Sequence, residues 1–540
     1  MKRKQIIALL MAIVMLLLTA CGSAKNPRAD KSDLVNRYEF GSEFGLASKE
    51  PIKVPKLSEM EYVHYDTTEL IDNLEALIDK VPEYKDADTL FKDYFEVYKH
   101  YREFQTQRTI VYLRYSQDQY DEYYAEEYNY CEEQSDIIWE NFSDLYAAFA
   151  KSPLREELEE KYFYKGYFDE YEGYESASDE YFKLKDQETA LEMKYLSLTA
   201  GYDWDDKYSE VAEIYIELAK VRKKIALERG YDNYLEYAYK ENFGRDYTPE
   251  DVDVFLESVK EYLVPLTKEI VASDAWDGIK VSEFPTMLSD AAKEMGGPIA
   301  QAAELLITYE LYDMYYSDNR RSIGYEWYIP KYEVPYIFGN SDVYRTFCHE
   351  FGHFTEDVYS YDLDDDTETA EIFSQAMEFL AISHTTGIAD PTKKDMLKER
   401  LASFLGTVKN TCIGGAFEKS IYTMDPDELT VEKVEKIYRE YQVEYNGFAD
   451  KRDWVYTHHF FDYPVYYISY ALSVIPSILI SKEEYEATGA GVARYCKLLD
   501  RTPGKKFSAV LEEAGIGNPF KEETIKEVAE FYKEFFNLKK

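Results

Sequence analysis

A helix that presents two histidines to one metal ion is the element that most constrains this chain. Residues 349–353 read His-Glu-Phe-Gly-His. Residues four apart lie on the same face of an α-helix, so His349 and His353 can bind one ion while Glu350 lies beside it. Apolar residues recur at helical spacing on a different side: Val343, Phe347, Phe351, Phe354 and Val358. The motif therefore predicts a zinc-binding helix that packs one face against the core.

A catalytic zinc ion needs a third protein ligand, and acidic residues follow the motif in two places. The first is the run Asp362, Asp364, Asp365 and Asp366, which is typical of a solvated loop. A calcium site in this run stays open as an alternative. The second is the segment that begins at Glu371.

The second acidic segment has the pattern of a buried helix. Glu371, Ser374, Gln375 and Glu378 form one polar stripe, and every residue between them is apolar. A buried helix must direct such a stripe at partners and not at bulk water. We therefore predict Glu371 as the third zinc ligand and Glu378 as a hydrogen-bond partner of a ligand imidazole.

Helical periodicity dominates the rest of the chain. Apolar and aromatic residues recur three and four apart through 56–240. Thr248-Pro249 predicts a helix start, with Thr as the N-cap and Pro in the first turn. Residues 319–340 instead combine Pro, Gly and aromatics in short alternating runs, which predicts a small antiparallel sheet. The predicted fold class is mainly α, with one β patch next to the zinc helix.

Charge and cysteine content narrow the function classes. The chain carries 105 acidic and 62 basic residues, a formal net charge of −43. Nucleic acid is excluded as a partner because binding a phosphate backbone requires a basic surface. Five cysteines in 540 residues do not make a disulfide framework. The sequence leaves open any pairing among Cys131, Cys348, Cys412 and Cys496.

The N-terminus has the pattern of a bacterial lipoprotein. Three basic residues precede an apolar run over 6–18, which is too short for a comfortable membrane span. Leu18-Thr19-Ala20-Cys21 then resembles the lipobox after which such signal peptides are cleaved. We predict a signal peptide over 1–20, a lipid anchor on Cys21 and a tether over 21–55. The predicted location is the bacterial cell envelope, outside the cytoplasmic membrane; the alternative is an ordinary signal peptide that ends near a cysteine.

Several segments together resemble one enzyme family. The zinc motif followed by E-x-x-S-Q-x-x-E from Glu371 is similar to the thimet oligopeptidase and oligoendopeptidase F family of zinc metallopeptidases. Residues 320–325 and 335–337 resemble the turn and edge strand that precede the zinc helix in this family. Residues 458–470 resemble its late segment rich in His and Tyr.

The resemblance implies a fold and further site residues. It implies two helical lobes that enclose a deep channel, and hence short, unfolded peptides as substrates. The family's late histidine corresponds to His458 or His459; the spacing to Tyr467 and Tyr470 favours His458. The histidine and the two tyrosines would stabilise the negative charge that develops on the carbonyl oxygen. The strand at 336–338 would bind the substrate along an exposed sheet edge.

These patterns predict a zinc-dependent endopeptidase for oligopeptides. Zinc activates water, and Glu350 acts as the general base. The predicted domains are an N-terminal helical region over 56–200 and a catalytic domain over 201–540. The alternatives are an all-helical HExxH carboxypeptidase and a non-catalytic peptide-binding lipoprotein on the same fold. A transporter's substrate-binding lipoprotein would share the anchor, but it would need no HExxH motif.

Overall fold

The computed structural model does not describe every segment of the chain. The described residues are 54–174, 176–199, 205–270, 279–360, 366–449 and 453–538. The predicted signal peptide, Cys21 and almost all of the tether lie outside them. Asp362, Asp364 and Asp365 of the acidic run also lie outside. The lipid anchor and the calcium alternative therefore stay predictions.

Helices form most of the described chain, which confirms the predicted fold class. Their bounds are α1 Thr68–Lys80, α2 Ala87–Gln117, α3 Glu122–Lys151, α4 Arg155–Lys161, α5 Asp179–Leu198, α6 Tyr208–Glu228, α7 Tyr234–Tyr237, α8 Pro249–Tyr262, α9 Phe284–Met295, α10 Gly297–Thr308, α11 Tyr344–Ser360, α12 Thr367–His384, α13 Asp390–Thr423, α14 Val431–Asn446, α15 His459–Asp462, α16 Tyr467–Glu486, α17 Ala490–Leu499, α18 Phe507–Ala514 and α19 Glu522–Phe535. Within the described segments, no helix combines the length and the apolar character needed to cross a bilayer.

The start of α8 shows how local sequence fixes a helix boundary. The Thr248 hydroxyl accepts a hydrogen bond from the backbone N–H of Asp251, and the Asp251 carboxylate accepts one from the backbone N–H of Thr248. Pro249 occupies the first turn, where its missing N–H costs nothing. The predicted helix start is confirmed.

A three-stranded sheet lies next to α11. Its strands are β1 Tyr312–Met314, β2 Gly324–Ile329 and β3 Val334–Gly339, in the order β1-β3-β2. β2 and β3 pair antiparallel, as predicted, but β1 adds a parallel neighbour to β3. β3 is thus the central strand, with both edges paired. The prediction that residues 336–338 form an exposed edge is wrong, and β2 is the edge strand on that side.

Two apolar cores organise the described helices. The smaller core is built by residues between 70 and 171, and the larger one extends to the C-terminal helices. α5 contributes Tyr181, Leu184 and Tyr195 to the larger core. Side chains from β2 and the turn before it pack against both cores. The sheet therefore lies where the two cores meet.

The described cysteines are all buried. No two of them form a disulfide: Cys131, Cys348, Cys412 and Cys496. Cohesion between the helices therefore comes from packing, hydrogen bonds and ion pairs in the described part of the chain.

Candidate metal centre

The structure brings the three predicted zinc ligands together. His349 and His353 lie one turn apart on α11, and Glu371 reaches them from the first turns of α12. The Glu371 Oε2 atom lies 3.6 Å from His349 Nε2 and 3.8 Å from His353 Nε2. All three ligand atoms lie within 4.8 Å of one another. One ion could contact all three atoms at once.

The donor set and its spacing fit zinc. Nitrogen and oxygen ligands lie about 2.0–2.2 Å from zinc, which puts tetrahedral ligands roughly 3.3–3.6 Å apart. The separations between Glu371 and the two imidazoles are at or just above this range. Two histidines and one glutamate also leave a fourth position for water or substrate, as catalytic zinc sites require.

Gly352 explains why α11 and α12 can approach closely enough to share a metal ion. A β-carbon at this position would lie 2.4 Å from the Phe373 carbonyl oxygen and 2.4 Å from the Ser374 Cα. Real contacts are not that short, so only glycine fits between the helix backbones. The glycine inside the motif therefore sets the distance between the histidine helix and the glutamate helix.

Two hydroxyl groups orient the Glu371 carboxylate. Tyr466 donates a hydrogen bond to Glu371 Oε1 at 2.6 Å, and Ser374 donates one to Oε2 at 2.8 Å. Ser374 belongs to the predicted polar stripe, whereas sequence reasoning missed Tyr466. Burial raises the pKa of Glu371, and His349, Tyr466 and Ser374 oppose that shift. The carboxylate is thus held with Oε2 toward both imidazoles.

Glu378 contacts the His349 imidazole at the position predicted for it. Its Oε1 lies 2.9 Å from His349 Nδ1, which leaves Nε2 to face the other ligands. Arg400 forms a buried ion pair with the other oxygen of Glu378, and Arg345 Nε lies 3.9 Å from it. Burial opposes the charged form of Glu378, but Arg400 and His349 hold its pKa below the usual value. Burial also opposes charge on His349, yet the bond to Glu378 raises its pKa to about 9.

Glu350 lies buried between the metal ligands and β2. Burial raises its pKa to about 8; His349 opposes this shift and Glu371 adds to it. A β-carbon at Gly324, the first residue of β2, would lie 2.7 Å from Glu350 Oε1. Gly324 therefore leaves the space that the carboxylate occupies. In His353, burial and then His349 lower the pKa of the imidazole well below its ordinary value.

A cavity of about 610 Å³ opens beside His349. Tyr467 and Tyr470 line it, as does His459. The His459 Nε2 atom lies 3.3 Å from the Tyr470 hydroxyl. The carboxylates of Glu371 and Glu350 also act on Tyr470, whose pKa is raised first by burial and then by these charges. The predicted tyrosines therefore lie beside the metal ligands.

Of the two candidate histidines, the structure places His459 and not the preferred His458 along this cavity. The His458 imidazole is half-exposed and contacts Asp462 at 3.1 Å, away from the wall of this cavity. His459 begins α15, and its ring lies 5.1 Å from that of Tyr467 and 5.5 Å from that of Tyr470. The spacing to Tyr467 and Tyr470 does not reveal how the short helix α15 is oriented against α16.

A strained backbone carries the chain from α15 to α16. Val465 has φ of +69°, a conformation that a β-branched residue rarely adopts and that costs about 1–3 kcal/mol. Its N–H donates to Glu418 at 2.6 Å, and its carbonyl accepts from Arg245 at 3.0 Å. These buried side chains hold the turn that presents Tyr466 to Glu371.

A second buried glutamate on α12 has a different environment. Glu368 is fully buried and accepts hydrogen bonds from Arg245, Tyr247 and Ser469. The Arg245 ion pair measures 3.0 Å and is inaccessible to solvent. Glu368 therefore anchors α12 to α16, and Glu371 is the glutamate of this turn that faces the imidazoles.

Two family models match separate parts of the chain. The model described as Peptidase M3 N-terminal domain matches residues 57–173. The model described as Peptidase family M3 matches residues 299–530, which include every residue of the metal cluster. Among curated proteins, no sequence matches the chain.

Solved structures share the fold over nearly the whole chain. PZ peptidase A, determined with an inhibitor, has a TM-score of 0.81 at 21% identity and covers 89% of this chain and 99% of its own. A protein designated an oligoendopeptidase F in Bacillus anthracis str. Ames has a TM-score of 0.77 at 21% identity, with 89% and 98% covered. Oligoendopeptidase-F from Enterococcus faecium has a TM-score of 0.54 at 16% identity and covers 87% of this chain and 97% of its own. The likeness extends from the smaller core through the metal cluster.

Proposed function

The chain belongs to peptidase family M3, and on that premise we propose that it is a zinc-dependent endopeptidase that hydrolyses short, unfolded peptides. The observation that carries the proposal is the cluster of His349, His353 and Glu371 with Glu350 buried beside it. Hydrolysis needs a general base, and a buried glutamate that is not a metal ligand can act as one. A protein that only binds peptides would not require such a base.

The residues divide the chemistry between them. A zinc ion held by His349, His353 and Glu371 would polarise the scissile carbonyl and lower the pKa of a water molecule. Glu350 accepts a proton from the attacking water as the new C–O bond forms. It then gives this proton to the amide nitrogen as the C–N bond breaks, so the products are a carboxylic acid and an amine.

Donors for the developing negative charge line the same cavity as His349. The hydroxyl of Tyr470 and the imidazole of His459 lie 3.3 Å apart beside the cavity. Groups that donate to an oxygen only as it gains charge favour the transition state over the bound substrate. We assign them, together with Tyr467, to stabilisation of the oxyanion.

The enclosed position of the site supports peptide substrates over folded proteins. All three ligands and Glu350 are at least half-buried, and the cavity beside them has about 610 Å³. An extended peptide can enter such a space, whereas a folded domain cannot. The edge strand β2, next to Glu350, offers backbone groups to an extended peptide.

Metal analysis and product analysis of one variant pair test the proposal. We expect one zinc ion per chain and internal cleavage of unstructured peptides by the wild type. Glu350→Gln should retain zinc and peptide binding but lose turnover by at least about 10²–10⁴-fold, because the proton acceptor is gone. Wild-type turnover in Glu350→Gln would refute the mechanism. Removal of C-terminal residues alone would favour the carboxypeptidase, and zinc and peptide binding without any cleavage would favour the binding protein.

We further propose that the protein acts outside the cytoplasmic membrane, anchored by a lipid on Cys21. The support is the N-terminal sequence, with its basic residues, apolar run and Leu-Thr-Ala-Cys ending. Cys21→Ser should move the protein from the membrane fraction to the soluble fraction. An unchanged distribution would contradict the anchor.

A further inference from the structure

A second, smaller cavity lies where the two cores meet. Its volume is about 160 Å³, enough for one side chain or one chain terminus. Its walls come from α3, α5, the turn before β2 and the end of α15. The residue of interest is Arg321, which lines this cavity and is only 8% exposed.

Arg321 is a buried cation surrounded by tyrosines. Its guanidinium lies 5.3 Å from the ring centre of Tyr112 and 5.6 Å from that of Tyr115. Tyr128 and Tyr463 line the same cavity as Arg321. Among the described residues, no carboxylate forms an ion pair with Arg321. Its burial is therefore not accompanied by a direct ion pair.

The acidic residues of the same cavity already face other groups. Glu132 forms a two-pronged ion pair with Arg108, at 2.7 and 3.1 Å. Glu192 pairs with Arg222 at 3.0 Å.

The two remaining carboxylates are also accounted for. Asp462 contacts the His458 imidazole at 3.1 Å. Burial raises the pKa of Asp136, and among its neighbours the charge of Lys185 opposes that shift most strongly. Arg321 is thus the cation of this cavity that lacks a carboxylate, in a chain whose formal net charge is −43.

The cavity is close to the proposed reaction centre. Arg321 precedes Gly324 by three residues, and Gly324 lies directly against Glu350. Three residues span at most about 11 Å. An extended peptide advances about 3.3 Å per residue. The backbone of Arg321 therefore lies no farther from Gly324 than two to four residues of an extended peptide can span.

We propose that Arg321 is a specificity residue that binds a carboxylate of the peptide substrate, two to four residues from the scissile bond. Tyrosine hydroxyls around it supply further hydrogen-bond donors. The carboxylate can be the C-terminus of a short peptide or the side chain of an Asp or Glu. The inference rests on the proposed function, since it takes the ligand to be the substrate.

Binding measurements test the inference separately from catalysis. The probes are fluorescent ten-residue neutral peptides, with Glu placed at successive positions, and each with a C-terminal acid or amide. Dissociation constants are measured by anisotropy in Glu350→Gln protein, with and without Arg321→Met. Arg439→Met is the matched control, because it removes the same charge from an exposed position on α14.

One carboxylate position should bind about 10- to 100-fold more tightly than its neutral counterpart, the range expected for a hydrogen bond to a charged group. Arg321→Met should abolish this ratio, and Arg439→Met should retain it. Dependence on the C-terminal acid identifies the chain terminus, and dependence on internal Glu identifies a side chain.

Two outcomes would overturn the assignment. One is that all peptides bind with the same dissociation constant, wherever the carboxylate is placed; this result does not depend on the Arg321 variant. The other is a preference that survives in folded Arg321→Met protein. If no peptide is cleaved by the wild type, the proposed function fails, yet the anisotropy ratios still decide whether Arg321 binds a carboxylate.

Discussion

Replacing Gly352 by alanine should damage the metal centre without touching a ligand. The added β-carbon would lie 2.4 Å from the Phe373 carbonyl oxygen, about 1 Å short of ordinary contact at 3.4 Å. Backbone atoms on both sides leave no flexible side chain to yield, so α11 and α12 must separate by about that amount. Metal–ligand distances tolerate only about ±0.2 Å. The shift therefore exceeds what the shared ion can accept.

The expected size of the effect follows from this separation. Overpacking a tight interface costs about 1–3 kcal/mol of unfolding free energy. Misplacing Glu371 relative to the two histidines should also weaken zinc binding about 10- to 100-fold, the range seen when ligand orientation is disturbed. Thermal or denaturant unfolding of the zinc-free protein measures the first effect, and competition with a zinc chelator measures the second.

Gly406→Ala is a control for which we expect the opposite change in stability. It also lies inside a helix, α13, but a β-carbon there would meet nothing within 4 Å. Gly406→Ala should therefore stabilise the protein by about 0.5–1 kcal/mol, because alanine loses less backbone entropy in a helix. If Gly352→Ala matched the wild type in zinc affinity and unfolding, glycine would not be setting the helix separation and the reasoning would fail.

Two further substitutions examine the donors around the site. His459→Ala should lower kcat about 10²–10³-fold, whereas His458→Ala should leave kcat nearly unchanged, because only His459 lines the cavity. Equal losses of kcat in both variants, measured by steady-state kinetics, would contradict this assignment. Tyr466→Phe should weaken zinc binding about 10- to 100-fold, because one oxygen of Glu371 loses its hydrogen bond. An unchanged zinc affinity in chelator competition would mean that the Tyr466 hydroxyl does not orient the carboxylate.

Residues whose geometry is local could be predicted from the sequence. His349 and His353 lie on one helix face because they are four residues apart. The polar stripe from Glu371 to Glu378 can be recognised because the residues around it are apolar. The helix start at Thr248 depends only on its next three residues. These features need no knowledge of how the helices pack.

Residues whose role depends on packing could not be predicted. Val465 adopts a left-handed conformation that nothing in its own sequence favours, and it places Tyr466, one of a run of tyrosines, against Glu371. Which of His458 and His459 lines the cavity depends on how α15 packs. The sequence does not reveal that β3 is the central strand, because β1 is only three residues long and gives no periodic signal.

The Val465 turn has a consequence for the order of folding. Its hydrogen-bond partners Arg245 and Glu418 precede it by 220 and 47 residues. A strained turn is stable only when such partners are already in place, and contacts this distant in sequence form late because loop closure must come first. Tyr466 can therefore reach Glu371 only after the helices from the middle of the chain have docked. We therefore expect the hydrogen bond from Tyr466 to Glu371 to be among the last contacts of the candidate metal site to form.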